Sequence, residues 1–277
     1  MSGNLNASEV ALGKPTQYID TYTPSLLVSI ERAESRGEMA LTGALPFIGE
    51  DVWNAYELTW LDPAGKPQVA AVRVNVPCSS PCMVESKSLK LYLNSFAMSR
   101  FSNKVDVLST LNSDLTIAFR APVMVDLLDV DQIPEQVDRL PGTCLDGLGV
   151  EVELYERAPH LLLLEDGDER AVRESLHTNL FRSLCPVTGQ PDFATLVIEY
   201  LGRPIVRTGL LRYLISYRSH RAFHEATVEQ IFVDLFERCQ PEQLSVAGYF
   251  LRRGGIDINP YRSNADEKSP ALRLPRQ

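Results

Sequence analysis

The sequence predicts an α+β protein built from two units, each an antiparallel sheet with a pair of helices on one face. Three observations carry this. Several stretches alternate apolar and polar residues with period two, others repeat with the helical period, and their order is strand, strand, helix, helix, strand, strand in both halves. A local echo supports a duplication: Tyr92-Leu93-Asn94-Ser95-Phe96 lines up with Tyr213-Leu214-Ile215-Ser216-Tyr217, and Phe101 falls near Phe223.

Residues 1–50 hold Pro15, Pro24, Gly37, Gly43 and Pro46 with no long periodic segment, and read as an arm with short ordered pieces. The first unit is expected over 51–156 and the second over 157–277. Trp53 to Leu61 is an aromatic, partly alternating strand, and Asp62-Pro63-Ala64-Gly65-Lys66-Pro67 turns it back. Ala70, Val72, Val74 and Val76 then alternate with Val69, Ala71, Arg73 and Asn75, which predicts a strand with its even-numbered face buried. Leu89 to Phe96 and Val105 to Phe119 read as helices separated near Phe101-Ser102-Asn103. Pro122 opens a strand through Val130, and Val150-Glu151-Val152-Glu153-Leu154-Tyr155 alternates as another. In the second half, Val172 to Leu184 and Thr195 to Leu201 read as strands, the first also admitting a helix. Gly209 to Tyr217 and His224 to Cys239 are helical in period, and Leu244–Leu251 and Ile256–Ile258 flank a Gly254-Gly255 hairpin turn.

The chain has 277 residues, with 27 Lys+Arg against 36 Asp+Glu and a formal charge of −9. That acidity argues against direct nucleic-acid binding, which calls for a basic face. No run reaches the ~18 consecutive apolar residues of a membrane span. Met1 to Lys14 lacks the basic start and apolar run of a signal peptide. Cys78, Cys82, Cys144, Cys185 and Cys239 form no disulfide framework. A cytoplasmic protein is the expectation. Cys78 and Cys82 do not predict zinc, because no second Cys/His pair completes a tetrahedral set, and no metal is expected.

Several residues admit both a structural and a chemical reading. Cys185 lies in Leu184-Cys185-Pro186-Val187-Thr188-Gly189-Gln190-Pro191-Asp192, as a small buried apolar residue or as a nucleophile on a rigid loop. Asp192 caps that loop or, held protonated by burial, donates a proton. His224-Glu225 opens a helix as a surface histidine and a favourable first-turn acid. Alternatively, Glu225 accepts two N–H bonds from the amidine edge of a base while His224 holds or protonates a nitrogen. Arg252-Arg253-Gly254-Gly255 is an ordinary hairpin or a phosphate site with forked donors beside bare backbone. No G-x-G-x-x-G follows a strand, so a Rossmann site is not supported. Glu85-Ser86-Lys87-Ser88 reads locally as a helix start, with Ser86 or Ser88 as N-cap and Lys87 exposed.

The octapeptide Glu85-Ser86-Lys87-Ser88-Leu89-Lys90-Leu91-Tyr92, taken with Cys185, Asp192 and His224-Glu225, resembles the nitrile reductases of queuosine biosynthesis. Members of that family reduce 7-cyano-7-deazaguanine to its aminomethyl form with NADPH. The resemblance runs from Asp20-Thr21-Tyr22 through Trp53-Asn54-Ala55-Tyr56-Glu57-Leu58 to Asp257–Asn264, and is looser over the arm and over Gly142 to Gly149. It matches the long form, in which the octapeptide precedes the Cys/Asp loop. It implies tandem tunnelling-fold units whose sheets join across subunits, and hence a homodimer or higher homo-oligomer. It implies Cys185 as thioimide nucleophile and Asp192 as proton donor, assisted by His224. Val84, Glu85, Ser86, His224 and Glu225 are implied to contact the substrate, and Ser86, Lys87, Arg253 and Gly254 to contact NADPH. Two other readings stay open: a cysteine hydrolase of nitriles or amides, and a non-catalytic purine-binding module.

Overall fold

The computed structural model describes residues 18–133, 137–140, 142–167, 169–265 and 272–277, so the stretch Met1 to Lys14 lies outside the described residues. It is an α+β structure that resolves into two compact units. One comprises residues up to Glu34, Val52–Glu135 and Arg252–Asp257; the other comprises Ser35–Asp51, Gln136–Leu251 and Ile258 onward.

β1 (Ser29–Glu31) leads directly into α1 (Arg32–Glu38), which passes from the first unit into the second at Ser35, and β2 (Ile48–Leu61) returns to the first unit at Val52, followed there by β3 (Pro67–Pro77) and β4 (Cys82–Val84). Next are α2 (Ser86–Asn94), α3 (Lys104–Phe119) and β5 (Met124–Leu128). The strands run in the order β5-β3-β2, while β1 and β4 form a small separate pair. Ala70, Val72, Val74 and Val76 of β3 are buried, as their alternation predicts. Trp53 of β2 meets Phe119 of α3 edge-on at 6.0 Å, which fixes that helix on the sheet.

The second unit contains β6 (Thr143–Cys144), β7 (Val172–Leu184), β8 (Pro191–Gly202), α4 (Arg207–Ile215), α5 (His224–Cys239), β9 (Gln243–Phe250) and β10 (Ile256–Ser263). Its strand order is β10-β9-β8-β7-β6. Ala194, Leu196, Ile198 and Tyr200 of β8 form the centre of its core, all at most 1% exposed. Gly248 of β9 lets α5 approach closely, since an added Cβ would lie 2.8 Å from Val228 Cγ2. The opposite face is covered by the C-terminal residues, with Leu274 packed among Val197, Ala247, Tyr249 and Tyr261.

The two units repeat one another in detail. α2 and α4 are both nine residues long, and α3 and α5 are both sixteen, each of the longer pair ending on a left-handed residue, Arg120 and Gln240. Tyr92 donates to Asp114 at 2.6 Å, and Tyr213 donates to Asp234 at 2.6 Å. Ser95 and Ser216 each turn their hydroxyls back to those tyrosines' carbonyls at 2.6 Å. Leu61 forms a parallel bridge with Arg100, as Leu184 does with Arg221. These equivalences extend the short sequence echo into hydrogen bonds that chance identity does not explain.

Two expectations need correcting. Val150 to Tyr155 is not a strand. Its alternation has no buried face, Leu154 and Tyr155 being 44% and 47% exposed, and Tyr155 accepts only a backbone bond from Ser219 at 3.1 Å. The sheet is also not wholly antiparallel, because β6 pairs in parallel with Leu176 and His177 of β7. Asp146 causes this: it accepts from Thr178 Oγ1 at 2.6 Å and from the Asn179 side chain at 2.9 Å, drawing the β6 segment against a bulge in β7.

Candidate active site

In the first unit, the motif residues stand where β4 passes into α2. Val84 is buried and paired with Ser29 of β1. Glu85, 2% exposed, is the N-cap, in place of the Ser86 or Ser88 expected from the sequence. Its Oε1 accepts from Lys87 N and its Oε2 from Ser88 N, both at 2.8 Å. The glutamate displaces serine because it can satisfy two orphan amides at once and meets the positive end of the helix dipole. Ser88 is used structurally instead, donating to Glu85 O at 2.7 Å and accepting from Val28 N at 3.0 Å. A carboxylate has about four lone-pair sites, so roughly two remain to Glu85 for a ligand. Ser86 and Lys87 are partly exposed at the helix start.

The Gly-Gly turn belongs to the same unit. Gly254 and Gly255 both have positive φ, 56° and 74°, and Arg253 N donates to Ile256 O at 2.9 Å, the two-residue turn that two glycines favour. A Cβ on Gly254 would lie 3.2 Å from Lys90 Cδ and 3.5 Å from its Nζ. Arg252 stacks its guanidinium 3.6 Å from the centre of the Tyr56 ring. Bare backbone, Arg253 and the Lys90 ammonium thus converge, with Lys87 one turn earlier on α2. That arrangement suits the phosphates of a dinucleotide such as NADPH, both in charge and in the closeness that a side chain at Gly254 would deny. Lys90 is the addition here: the sequence shows it inside the octapeptide, but only the fold sets it over Gly254.

In the second unit, β7 and β8 form a hairpin whose loop carries Cys185. Cys185 N donates to Gln190 O and Gly189 N donates to Cys185 O, both at 2.9 Å, with Gly189 at φ +69°. The loop is clamped from the side, because Leu184 N donates to His220 O at 2.8 Å and Ala222 N to Leu184 O at 3.3 Å. Residues 220–222 lead straight into α5, so one clamp ties the cysteine hairpin to the helix that begins at His224. Cys185 is 9% exposed and Asp192 4%. His224 Nε2 lies 3.3 Å from Asp192 Oδ2. The imidazole stacks on Phe250, 3.8 Å between centroids and 5° from parallel, which fixes its plane. Glu225 is buried at 3% exposure. One turn further along α5, Glu229 takes the guanidiniums of Arg36 and Arg262, each at 2.8 Å, and Arg262 also binds Asp51 at 2.8 Å. Buried charges persist when paired in this way, and the pairing anchors the helix that carries Glu225.

The second unit therefore brings Cys185, Asp192, His224 and Glu225 together, and the first gathers Val84, Glu85, Ser86, Lys87, Arg253 and Gly254. Cys78, Cys82, Cys144 and Cys239 form no disulfide and stand outside both groups. Burial raises the thiol pKa of Cys239 to about 11, which suits a packing role. Among the described residues no cluster of His, Cys, Asp or Glu could hold a metal ion, and no helix is long and apolar enough to cross a membrane. Phe250 escaped the sequence reading because its contact with His224 follows from the pairing of Ala194 with Phe250, which has no local signature.

The second unit sets a buried thiol on the hairpin that also carries a buried carboxyl facing an imidazole, a set suited to nucleophilic and proton-transfer chemistry. Comparison with known proteins narrows it. The family model described as nitrile reductase, 7-cyano-7-deazaguanine-reductase N-term, matches residues 18–127, and that of the QueF-like proteins matches 191–269. A protein from Bordetella avium named NADPH-dependent 7-cyano-7-deazaguanine reductase is 49% identical over 98% of this chain and 99% of its own. One of the same name from Desulfotalea psychrophila is 47% identical over the full length of both. A solved structure, the archaeosine synthase QueF-Like in the apo form, aligns over 36% of this chain and 96% of its own at 19% identity, with a TM-score of 0.30. The chain belongs to the family of NADPH-dependent 7-cyano-7-deazaguanine reductases.

Proposed function

We propose that this chain reduces the nitrile of 7-cyano-7-deazaguanine to a primary amine with NADPH, in the biosynthesis of queuosine, through a thioimide on Cys185. The observation that carries the mechanism is the buried pair Cys185 and Asp192 with His224 against the Asp192 carboxyl, held by a single clamp. The identity with the named reductases supports the substrate and cofactor.

A nitrile carbon is electrophilic but has no leaving group, so a nucleophile adds across the triple bond and displaces nothing. The Cys185 thiolate adds to carbon, and the nitrogen takes the proton of Asp192, giving a thioimide that is a better acceptor of hydride than the nitrile. NADPH, when bound, supplies hydride. His224, 3.3 Å from Asp192 and itself partly exposed, can return a proton to the carboxyl between steps. Burial of the thiol and the acid keeps water from the intermediate. Glu85 and Glu225 offer carboxylate oxygens to the amidine edge of the base, with Val84 and Ser86 beside Glu85. Ser86, Lys87, Arg253 and Gly254, with Lys90, are assigned to the cofactor.

The two units are read as tandem tunnelling-fold repeats with a preceding arm, 1–50, 51–156 and 157–277, in a cytoplasmic homodimer or larger homo-oligomer. Their shared internal hydrogen bonds support the repeat. Following NADPH absorbance during turnover tests the function. Oxidation that depends on the nitrile and yields the amine supports the reductase; an acid or amide formed without NADPH makes the protein a hydrolase, and binding without turnover makes it a purine-binding module.

A further inference from the structure

Ser183 lies wholly within the second unit, 0% exposed, yet its hydroxyl is hydrogen-bonded to nothing. Buried hydroxyls are nearly always partnered, and exceptions concentrate where function needs them. The position is specific. Ser183 is the direct cross-strand partner of Asp192, and it lies two residues before Cys185, which opens the loop after β7. Directly opposed residues have Cβ atoms about 4.5–5.5 Å apart on one face, so a side-chain rotation brings the hydroxyl within reach of the Asp192 carboxyl. His224 flanks the same carboxyl through Oδ2. His224 Nδ1 and Thr227 Oγ1, one turn apart at the head of α5, are also buried and unpaired. The layer around Asp192 thus holds polar capacity that the resting structure leaves unused.

We propose that Ser183 is a positioning residue for the proton donor, a reading that rests on the reductase mechanism above. In adduct formation the Cys185 sulfur bonds to the nitrile carbon, one C–N π bond breaks, and the nitrogen takes the Asp192 proton. Asp192 is left as a carboxylate with a new need for hydrogen bonds. The Ser183 hydroxyl, unpaired at rest, rotates to donate to the carboxylate once it is ionised. A hydroxyl can supply that bond by turning in place; alanine cannot.

The test uses the full-length protein without NADPH, following the rate of covalent adduct formation with 7-cyano-7-deazaguanine. Ser183→Ala should slow the adduct by about tenfold or more, the worth of one hydrogen bond to an ionised group. Base affinity, measured in a Cys185→Ala background, should be unchanged by Ser183→Ala. The melting temperature should hold or rise, because an unpaired buried hydroxyl has been removed. Ser183→Thr, which keeps the hydroxyl, should react faster than the alanine variant. Ser183→Cys, of similar size but a weak donor, takes the place of alanine if that variant is not recovered folded. A wild-type rate in Ser183→Ala, or a slowing matched by lost stability and lost affinity, overturns the proposal. Absence of any adduct in the wild type instead refutes the thioimide mechanism itself, so the two failures are distinct.

Discussion

Glu85 and Glu225 are both buried carboxylates at the head of a helix, and their surroundings set what each can offer a ligand. Glu85 already accepts two amides of its own helix, which fixes its direction and leaves its outer lone pairs. Glu225 sits one turn from Glu229, whose charge is matched by two arginines. Replacing Glu225 by Gln puts a donor where the base also presents donors. Glu225→Gln should therefore weaken nitrile binding by about 1–3 kcal/mol, read by titration in the Cys185→Ala background. Unchanged affinity would confine Glu225 to the packing of α5. A second expectation concerns the cationic cluster. Arg253→Ala and Lys90→Ala should each weaken NADPH binding while leaving adduct formation at its normal rate, checked by cofactor titration and adduct kinetics on the same preparations. Loss of both properties together would place these residues in the fold and not at the cofactor.

At the scale of elements, the clamp between the Cys185 hairpin and the segment 220–222 makes His220 a point of pH sensitivity. Its carbonyl accepts Leu184 N, its amide donates to Tyr217 O at 2.8 Å, and its ring meets Tyr217 edge-on at 5.0 Å. Burial, and then the charge of Arg157, hold its pKa below the ordinary 6.5. A histidine kept neutral by the fold stabilises above its unfolded pKa, and that contribution is lost as pH falls through 6.5 and below. The melting temperature should drop on acidification across that range, and less so in His220→Phe. An equal drop in the variant would trace acid sensitivity to other groups.

The same scale shows what the sequence could disclose. β3 was legible because Ala70, Val72, Val74 and Val76 are all buried and alternation holds from Val72 to Pro77. β7 admitted a helix because its buried set runs Leu176, Thr178, Phe181, Ser183, slipping parity at the bulge that Asp146 holds. β2 slips likewise between Ala55 and Leu58. Val150 to Tyr155 alternates without a partner to pair with, and period alone does not report partners. The candidate residues were legible through their motif, but the stack of His224 on Phe250 and the closeness of Lys90 to Gly254 arise from strand register and a positive-φ turn. Tertiary contacts of that kind leave no spacing in the chain.

For the whole molecule, the repeated plan has diverged in its details. Where Glu85 caps α2 with its side chain, Val206 stands before α4 with none, and where Cys185 begins the second hairpin loop, Asp62 begins the first. Each unit thus carries one of the two candidate groups. The reduction has a fixed stoichiometry: a nitrile becoming a primary amine takes four electrons, and each NADPH gives two. Two NADPH should be consumed per amine formed, measured by absorbance against product quantified by chromatography. A ratio of one, or free aldehyde as the main product, would contradict retention of the half-reduced intermediate.

Covalent bonding of Cys185 to the nitrile before any reduction is read by intact-protein mass spectrometry after mixing with 7-cyano-7-deazaguanine alone. Addition expels nothing, so the wild type should gain the mass of the whole nitrile. Cys185→Ala should gain none yet still bind the base, and Ser variants of Cys78, Cys82, Cys144 and Cys239 should each retain the adduct. An adduct that persists in Cys185→Ala, or its absence from wild-type protein that turns over nitrile and NADPH, would show that Cys185 is not the nucleophile.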